Sequence, residues 1–156
     1  MSKSLKRVIA ALDGAKVASR PIEMSGETRT AAQAAQEAGC CLDQIAKSIL
    51  FRGATSDKAV LFVTAGGNRV DPAKAAQVAG EPLERADIKW VRSVTGFAIG
   101  GVAPIGHLVP PVIFFDPKLL GFDEIWAAAG TPRHIFAISP QDLLSISSAQ
   151  IADFTQ

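Results

Sequence analysis

Two places in the chain combine residue types that could do chemistry: Lys47, within IAKSILFR, and the run TGFAIGGVAPIGH from Thr95 to His107. A lysine reaching into a cleft can hold a phosphate or a carbonyl oxygen. A lysine at the end of a helix can equally be a solvated cation favoured by the helix dipole. The run places Gly96, Gly100, Gly101, Gly106 and Pro104 beside apolar residues that could have made a strand. Consecutive glycines such as Gly100–Gly101 let backbone N–H groups converge on an anion or a developing oxyanion. The same residues also suit a tight connection between a helix and a strand. Both readings stand for both features.

Other chemistries find less support. No GKS or GKT follows the glycine run, and GxGxxG is missing, so neither a phosphate loop nor a dinucleotide fingerprint is present. His107 ends the run and His134 begins a later apolar segment; either could be a general acid or base, or a packed residue. The two histidines with Cys40 and Cys41 make no zinc spacing, and there is no GxSxG elbow. Adjacent cysteines rarely bridge, so a reducing cytoplasm is the expected compartment.

These residues must be positioned by a mixed set of elements. Leu5, Val8, Ile9 and Leu12 repeat at helical spacing, predicting a helix over 4–12 that stops at Asp13–Gly14. Residues 16–23 read as an extended edge containing Pro21. Thr30 and Gln33 form a capping box for a helix over 31–38, closed by Gly39. A shorter helix is expected over 42–46, with Lys47 at its end and SILFR following as a strand. AVLFVT (59–64) is a strand, and Ala65-Gly66-Gly67-Asn68 a hairpin turn signal. Asp71-Pro72 opens a helix that Gly80 closes, and Asp87 caps another carrying Ile88, Val91 and Val94 on one face. VIFFD, EIWAAAG and HIFAIS read as three strands, and Ser139-Pro140 restarts a short helix. This order predicts one α+β (mixed α/β) domain over residues 1–156.

The bulk properties fit that reading. The chain has 156 residues, of which 48% are hydrophobic and 20% charged, enough to bury a core without disulfides. Sixteen Lys+Arg against 15 Asp+Glu give a net charge of +1, so no large non-specific nucleic-acid field is expected. No apolar run approaches the roughly 20 residues of a membrane span, and the N-terminal segment lacks a signal-peptide core.

Three segments together resemble the YbaK / prolyl-tRNA-synthetase-associated editing domain family: QIAKSILFR, SVTGFAIGGVAPIGH and IWAAAGTPRHIFAISPQDLL. The resemblance covers nearly the whole chain. It implies a barrel-like mixed sheet with surrounding helices, and a free-standing aminoacyl-tRNA deacylase that clears small amino acids such as alanine, 2-aminobutyrate, serine or cysteine, above all from proline tRNA. It implies no metal, no other cofactor and no covalent nucleophile. The partners it implies are the misacylated tRNA 3′ end and, as a source of affinity, prolyl-tRNA synthetase; neither a membrane nor DNA is expected.

Carried over by residue, the resemblance makes Lys47, Gly100 and Gly101 the catalytic set. Substrate contacts fall to Phe51, Thr95, Gly96, Phe97, Ile99, Pro104, Gly106 and His107, and to Gly130, Thr131 and His134 in the second loop. Around that C-terminal loop the chain departs from the cysteine-removing YbaK type. Two rival readings are a tRNA- or synthetase-binding module without catalysis, and an unrelated ester or thioester hydrolase using Cys41 or His107.

Overall fold

The computed structural model describes residues 2–27 and 30–156. In chain order the elements are α1 (Lys3–Gly14), β1 (Ile22–Glu23), α2 (Ala31–Ala38), β2 (Ile45–Gly53), β3 (Ala59–Ala65), α3 (Pro72–Ala79), β4 (Leu83–Arg85), α4 (Ile88–Thr95), β5 (Val112–Phe115), β6 (Ile125–Ala128), β7 (His134–Ile138), α5 (Pro140–Ser147) and β8 (Gln150–Ile151). Two 3₁₀ turns, Leu42–Gln44 and Pro117–Gly121, complete the set. The expected mixed α+β class is what the chain adopts.

The caps explain most helix boundaries. Ser2 accepts from Leu5 N, Asp71 from Ala73 N and Lys74 N, Asp87 from Trp90 N, and Ser139 from Asp142 N. Each satisfies an amide with no intrahelical partner, worth about 1 kcal/mol apiece. The Thr30–Gln33 capping box forms, and Gly39 and Gly80 close α2 and α3 at φ 69° and 77°.

The strands make one mixed sheet in the order β1-β7-β6-β2-β3-β5-β8, with β4 on the outer edge of β2. Among the described residues the sheet is not closed: no ladder joins the short terminal strands β1 and β8. One face carries Leu61, Val63, Phe115 and Phe136, packed under Leu5, Val8 and Leu12 of α1, Leu143 of α5, and Phe97 and Ile105 of the glycine run. The other face carries Val60, Phe62 and Phe114, packed under Ala75 of α3 and Phe154. β3 is buried along its whole length because both faces are covered.

Two sequence expectations fail locally. Residues 42–46 are not a helix; one 3₁₀ turn ends at Gln44 and β2 begins at Ile45, so Lys47 lies within a strand. Pairing with β3 from Ala46 to Arg52 outweighs the weak helical preference of so short a segment. Ala65–Asn68 is a turn, but it leads to α3; β3 pairs with the preceding β2 through the Gly53–Lys58 connection.

Candidate active site

β2 is the strand that builds the site. β3 pairs with one of its edges continuously. On the other edge, β6 pairs only with Ile45 and Ala46, and β4 only with Phe51, Arg52 and Gly53. Among the described residues no strand pairs with Lys47–Leu50 on that side. Val63 O and Ala65 N are bonded to Asp116, on the β5 side of β3. By alternation, Phe62 and Thr64 turn their backbone groups toward β2, onto Ile49 and Lys47. Ser48 and Leu50 therefore direct their N–H and C=O into the gap between β4 and β6.

A cavity of about 550 Å³ occupies this gap. Most of its wall is apolar, including Leu50, Val91, Val102, Trp126, Ala127 and Ile135. Among the described residues, its lining includes the polar residues Thr30, Lys47, Ser48 and Arg85 and no carboxylate. Lys47 Nζ donates to Gly66 O at 3.2 Å. Burial holds the ammonium below the ordinary lysine range, with the Arg69 cation pushing the same way and Asp116 and Asp43 opposing.

The turn that receives Lys47 is held from two directions. Asp43 Oδ1 accepts from Gly67 N at 2.8 Å, and Lys118 pairs with Asp43 at 3.3 Å. Asp116, only 2% exposed, accepts from Ala65 N at 3.0 Å and Asn68 Nδ2 at 2.9 Å. Its other oxygen accepts from Lys118 N at 3.0 Å. A Cβ on Gly66 would lie 2.2 Å from Leu42 O, so the turn sits directly against the 3₁₀ turn. Sequence reasoning missed Asp116 and Gly66. The Asp116-Pro117 dipeptide carries the same capping signature as Asp71-Pro72, but it follows an apolar strand pattern that masks it.

Of the expected site residues, Lys47, Ile99 and Gly100 line the cavity. The other members of the glycine run form the wall's support. Arg7 of α1 donates through Nε to Gly106 O at 3.1 Å and through Nη2 to Gly96 O at 2.7 Å, and its guanidinium lies 5.1 Å from the Phe97 ring centroid. The run therefore wraps around one arginine. Thr95 is buried and bonds Val91 O and Phe97 N; Phe97 and Pro104 are also buried. Phe51 belongs to the opposite face, edge-on to Phe62. Gly130 packs against Ser4 and Phe97, and Thr131 Oγ1 bonds His134 Nδ1 at 2.6 Å within its own turn.

Gly100 and Gly101 have different tasks. Gly100 adopts φ +90° on the cavity wall. Gly101 is buried behind it, and its N–H donates to Ala98 O at 3.0 Å. A Cβ on Gly101 would lie 2.7 Å from the Thr131 backbone, whereas one on Gly100 meets nothing nearer than Pro132 at 3.8 Å. Gly101→Ala is therefore expected to overpack at about 1–3 kcal/mol. Gly100→Ala should cost about 1–2 kcal/mol of left-handed strain and spare the loop's packing. Urea midpoints of the two variants, with a crystal structure of each, check this: displacement of the Thr131–Pro132 turn belongs to Gly101→Ala alone.

His107 lies outside the cavity. Its Nε2 bonds Ala103 O at 2.6 Å, its Nδ1 is buried without a partner, and its ring stands edge-on to Phe97 at 5.0 Å. Burial pushes its pKa down; the Ala103 carbonyl opposes this and the Arg7 cation adds to it. In the unfolded chain histidine titrates near about 6.5. Between the depressed folded value and that one, the unfolded chain binds more protons. Stability is therefore full above the unfolded value and falls as pH drops through this window. Melting temperatures should decline between about pH 7.5 and pH 5, and less in His107→Phe. An equal decline in both proteins would show that His107 is not responsible.

Among the described residues no cluster of three or more His, Cys, Asp or Glu comes together, and no helix is long and apolar enough to cross a membrane. Cys40 and Cys41 are free thiols; burial raises the pKa of Cys40, with Cys41 and Glu124 adding to the effect.

An apolar gap in a mixed sheet, with a lysine anchored at its wall and a glycine turn beside it, defines a site sized for a small organic ligand. Residues 25–146 match the family model of the aminoacyl-tRNA editing domain, and the chain belongs to that family. It is 43% identical to a solved structure described as "a putative trans-editing enzyme for prolyl tRNA synthetase", with a TM-score of 0.92 over 100% of this chain and 99% of that one. It is 32% identical to YwhH of Bacillus subtilis, covering 83% of this chain and 82% of the relative. It is 26% identical to EbsC of Enterococcus faecalis, named "Putative Cys-tRNA(Pro)/Cys-tRNA(Cys) deacylase", covering 62% of this chain and 59% of that protein.

Proposed function

We propose that this protein is a trans-editing aminoacyl-tRNA deacylase, with residues 1–156 acting as one cytoplasmic editing unit. It hydrolyses the ester between a small, wrongly attached amino acid and the tRNA 3′ end, and proline tRNA is the substrate we favour. The observation that carries the reading is Lys47 and Gly100 on the wall of one cavity of about 550 Å³. That volume takes an aminoacyl group together with the terminal ribose. Membership of the editing-domain family supports the reaction class, and the 43% identical structure supports proline tRNA.

In this mechanism Lys47 Nζ faces the negative charge that develops on the ester carbonyl oxygen, or holds the terminal phosphate. The N–H of Gly100 supplies a second donor, and Gly101 fixes the turn because its own N–H is already bonded to Ala98. Water adds to the carbonyl carbon, assisted by a ribose hydroxyl. The C–O ester bond breaks, the ribose oxygen takes a proton, and the free amino acid and uncharged tRNA leave. An aminoacyl ester is activated, so positioning and electrostatics suffice without a covalent intermediate or a metal. Exclusion of larger side chains falls to Leu50, Val91, Val102 and Ile99, each methylene being worth about 1–3 kcal/mol.

The test is deacylation of proline tRNA charged with alanine, 2-aminobutyrate, serine, cysteine or proline. Hydrolysis of one or two small esters with prolyl-tRNA spared is the expected result. Binding of tRNA without hydrolysis of any ester would replace the enzyme with a tRNA- or synthetase-binding module.

A further inference from the structure

α1 lies ahead of residues 25–146, which match the editing-domain model, and none of its residues lines the cavity. Its Arg7 nevertheless reaches both ends of the glycine run. The segment 97–107 forms neither helix nor strand, and among the described residues its one internal backbone–backbone bond is Gly101 N to Ala98 O. Gly96 and Gly106 bracket it, each at φ +79°. Glycine enters and leaves that region freely, so each is a hinge unless something fixes it.

The hydrogen bonds show what does. Leu108 N donates to Thr95 O at 3.1 Å and closes the base of the loop. Thr95 Oγ1 accepts from Phe97 N at 3.0 Å and holds one side of the Gly96–Phe97 peptide. The other side, Gly96 O, accepts from Arg7 Nη2 at 2.7 Å, and Gly106 O accepts from Arg7 Nε at 3.1 Å. Buried Phe97, Ala103 and Ile105, with Gly101 seated on Thr131, anchor the middle. One guanidinium therefore ties the two hinges together, and Gly100 lies between them on the cavity wall. Gly96 also caps the C-terminus of α4, the negative end of that helix, where a cation is favoured. Among the described residues Arg7 forms no ion pair, so its donors serve these carbonyls. A lysine carries its donors on one nitrogen and cannot present the separated Nε and Nη2 of the fork.

We propose that Arg7 is a positioning residue of the active site: it locks both glycine hinges and so holds Gly100 in place for the reacting ester. The catalytic consequence rests on the deacylase reading; the locking does not. Freed from Arg7, Gly96 and Gly106 let the loop rock about its packed middle, and Gly100 is out of place for part of the time. A displacement of about 1 Å can cost about 10²-fold in rate. The loss falls on kcat, because the Gly100 donor acts on the developing oxyanion while ground-state binding rests on the cavity walls of β2 and β6.

The experiment uses the full chain as wild type, Arg7→Ala and Arg7→Lys. Deacylation of small esters is followed well below each melting temperature, with millimolar guanidinium chloride or equimolar sodium chloride. Relaxation dispersion of the Gly100 and Gly101 amides is measured on the same proteins. Arg7→Ala should lose about 10–100-fold in kcat with KM little changed, and its Gly100 amide should show microsecond-to-millisecond exchange that wild type lacks. Guanidinium should restore kcat and quench the exchange in Arg7→Ala while leaving wild type unaltered. Arg7→Lys should resemble Arg7→Ala more than wild type. A folded Arg7→Ala that keeps wild-type kcat, or loses it without recovery in guanidinium, overturns the proposal. Should Arg7→Ala not fold, wild-type kcat and a quiet Gly100 amide in Arg7→Lys overturn it instead. A wild type that hydrolyses no small ester removes the deacylase reading and the catalytic consequence with it; a Gly100 amide as quiet in Arg7→Ala as in wild type overturns the locking itself.

Discussion

Lys47→Ala lowers kcat/KM for deacylation by about 10²–10³-fold, the range found when one preorganised donor to a developing oxyanion is removed. The size of the effect follows from its surroundings. Lys47 lies on the wall of a largely apolar cavity, and its ammonium is held by Gly66 O at 3.2 Å. On the proposed mechanism it is therefore positioned before charge builds on the substrate. The fold should survive, because Lys47 is half-buried and its neighbours Ala46 and Ser48 keep their ladder positions. Circular dichroism and melting should match wild type. Lys47→Arg should not rescue, since a planar fork cannot reproduce a point charge in the same space.

On the proposed mechanism the same lysine should set an alkaline limit. Its pKa is depressed, chiefly by burial, so it loses its proton at a lower pH than an exposed lysine. Enzymatic hydrolysis, corrected for spontaneous ester loss, should therefore decline before the ordinary lysine value of about 10.4. Retention of near-wild-type turnover by Lys47→Ala would transfer the chemistry to another group and leave Lys47 as a phosphate contact.

The sequence marks the ends of the helices well, because caps are local. Thr30–Gln33, Asp71-Pro72, Asp87 and Ser139 each act within three residues, and all form. The same locality explains the failures. Whether residues 46–47 continue a helix or start a strand depends on pairing with β3, where Ala46 meets Ala65 and Lys47 meets Thr64, 19 and 17 positions later. The glycine run was legible as a feature but not in its allocation. Gly96 and Gly106 answer to Arg7, about 90 and 99 residues away, and Gly101 answers to Thr131. Only Gly100 of that group reaches the cavity. The gap between β4 and β6 could not be read at all, since β4 is three residues long with no apolar alternation to announce it. The open edge, and Ser48 within it, exist only after the sheet is assembled.

Asp116→Ala should be the most destabilising change near the site, and it tests how the fold places Lys47. The carboxylate is 2% exposed and accepts from Ala65 N, Asn68 Nδ2 and Lys118 N. Alanine leaves these donors without their acceptor, at about 1–3 kcal/mol for each that water cannot reach. A total of about 3 kcal/mol corresponds to a melting-temperature loss of roughly 6–12 °C for a chain of this size. Asp116→Asn separates architecture from charge. It keeps the shape and one acceptor oxygen, so the Ala65–Asn68 turn can persist, but it removes the negative charge that opposes the depression of the Lys47 pKa. In Asp116→Asn the alkaline limit of deacylation should move to lower pH, whereas a purely structural role for Asp116 would lower activity at every pH alike. Stability, turnover and pH profile unchanged in Asp116→Asn would mean that the turn holds Gly66 O in place through Asp43 alone, and that Asp116 lends Lys47 no field.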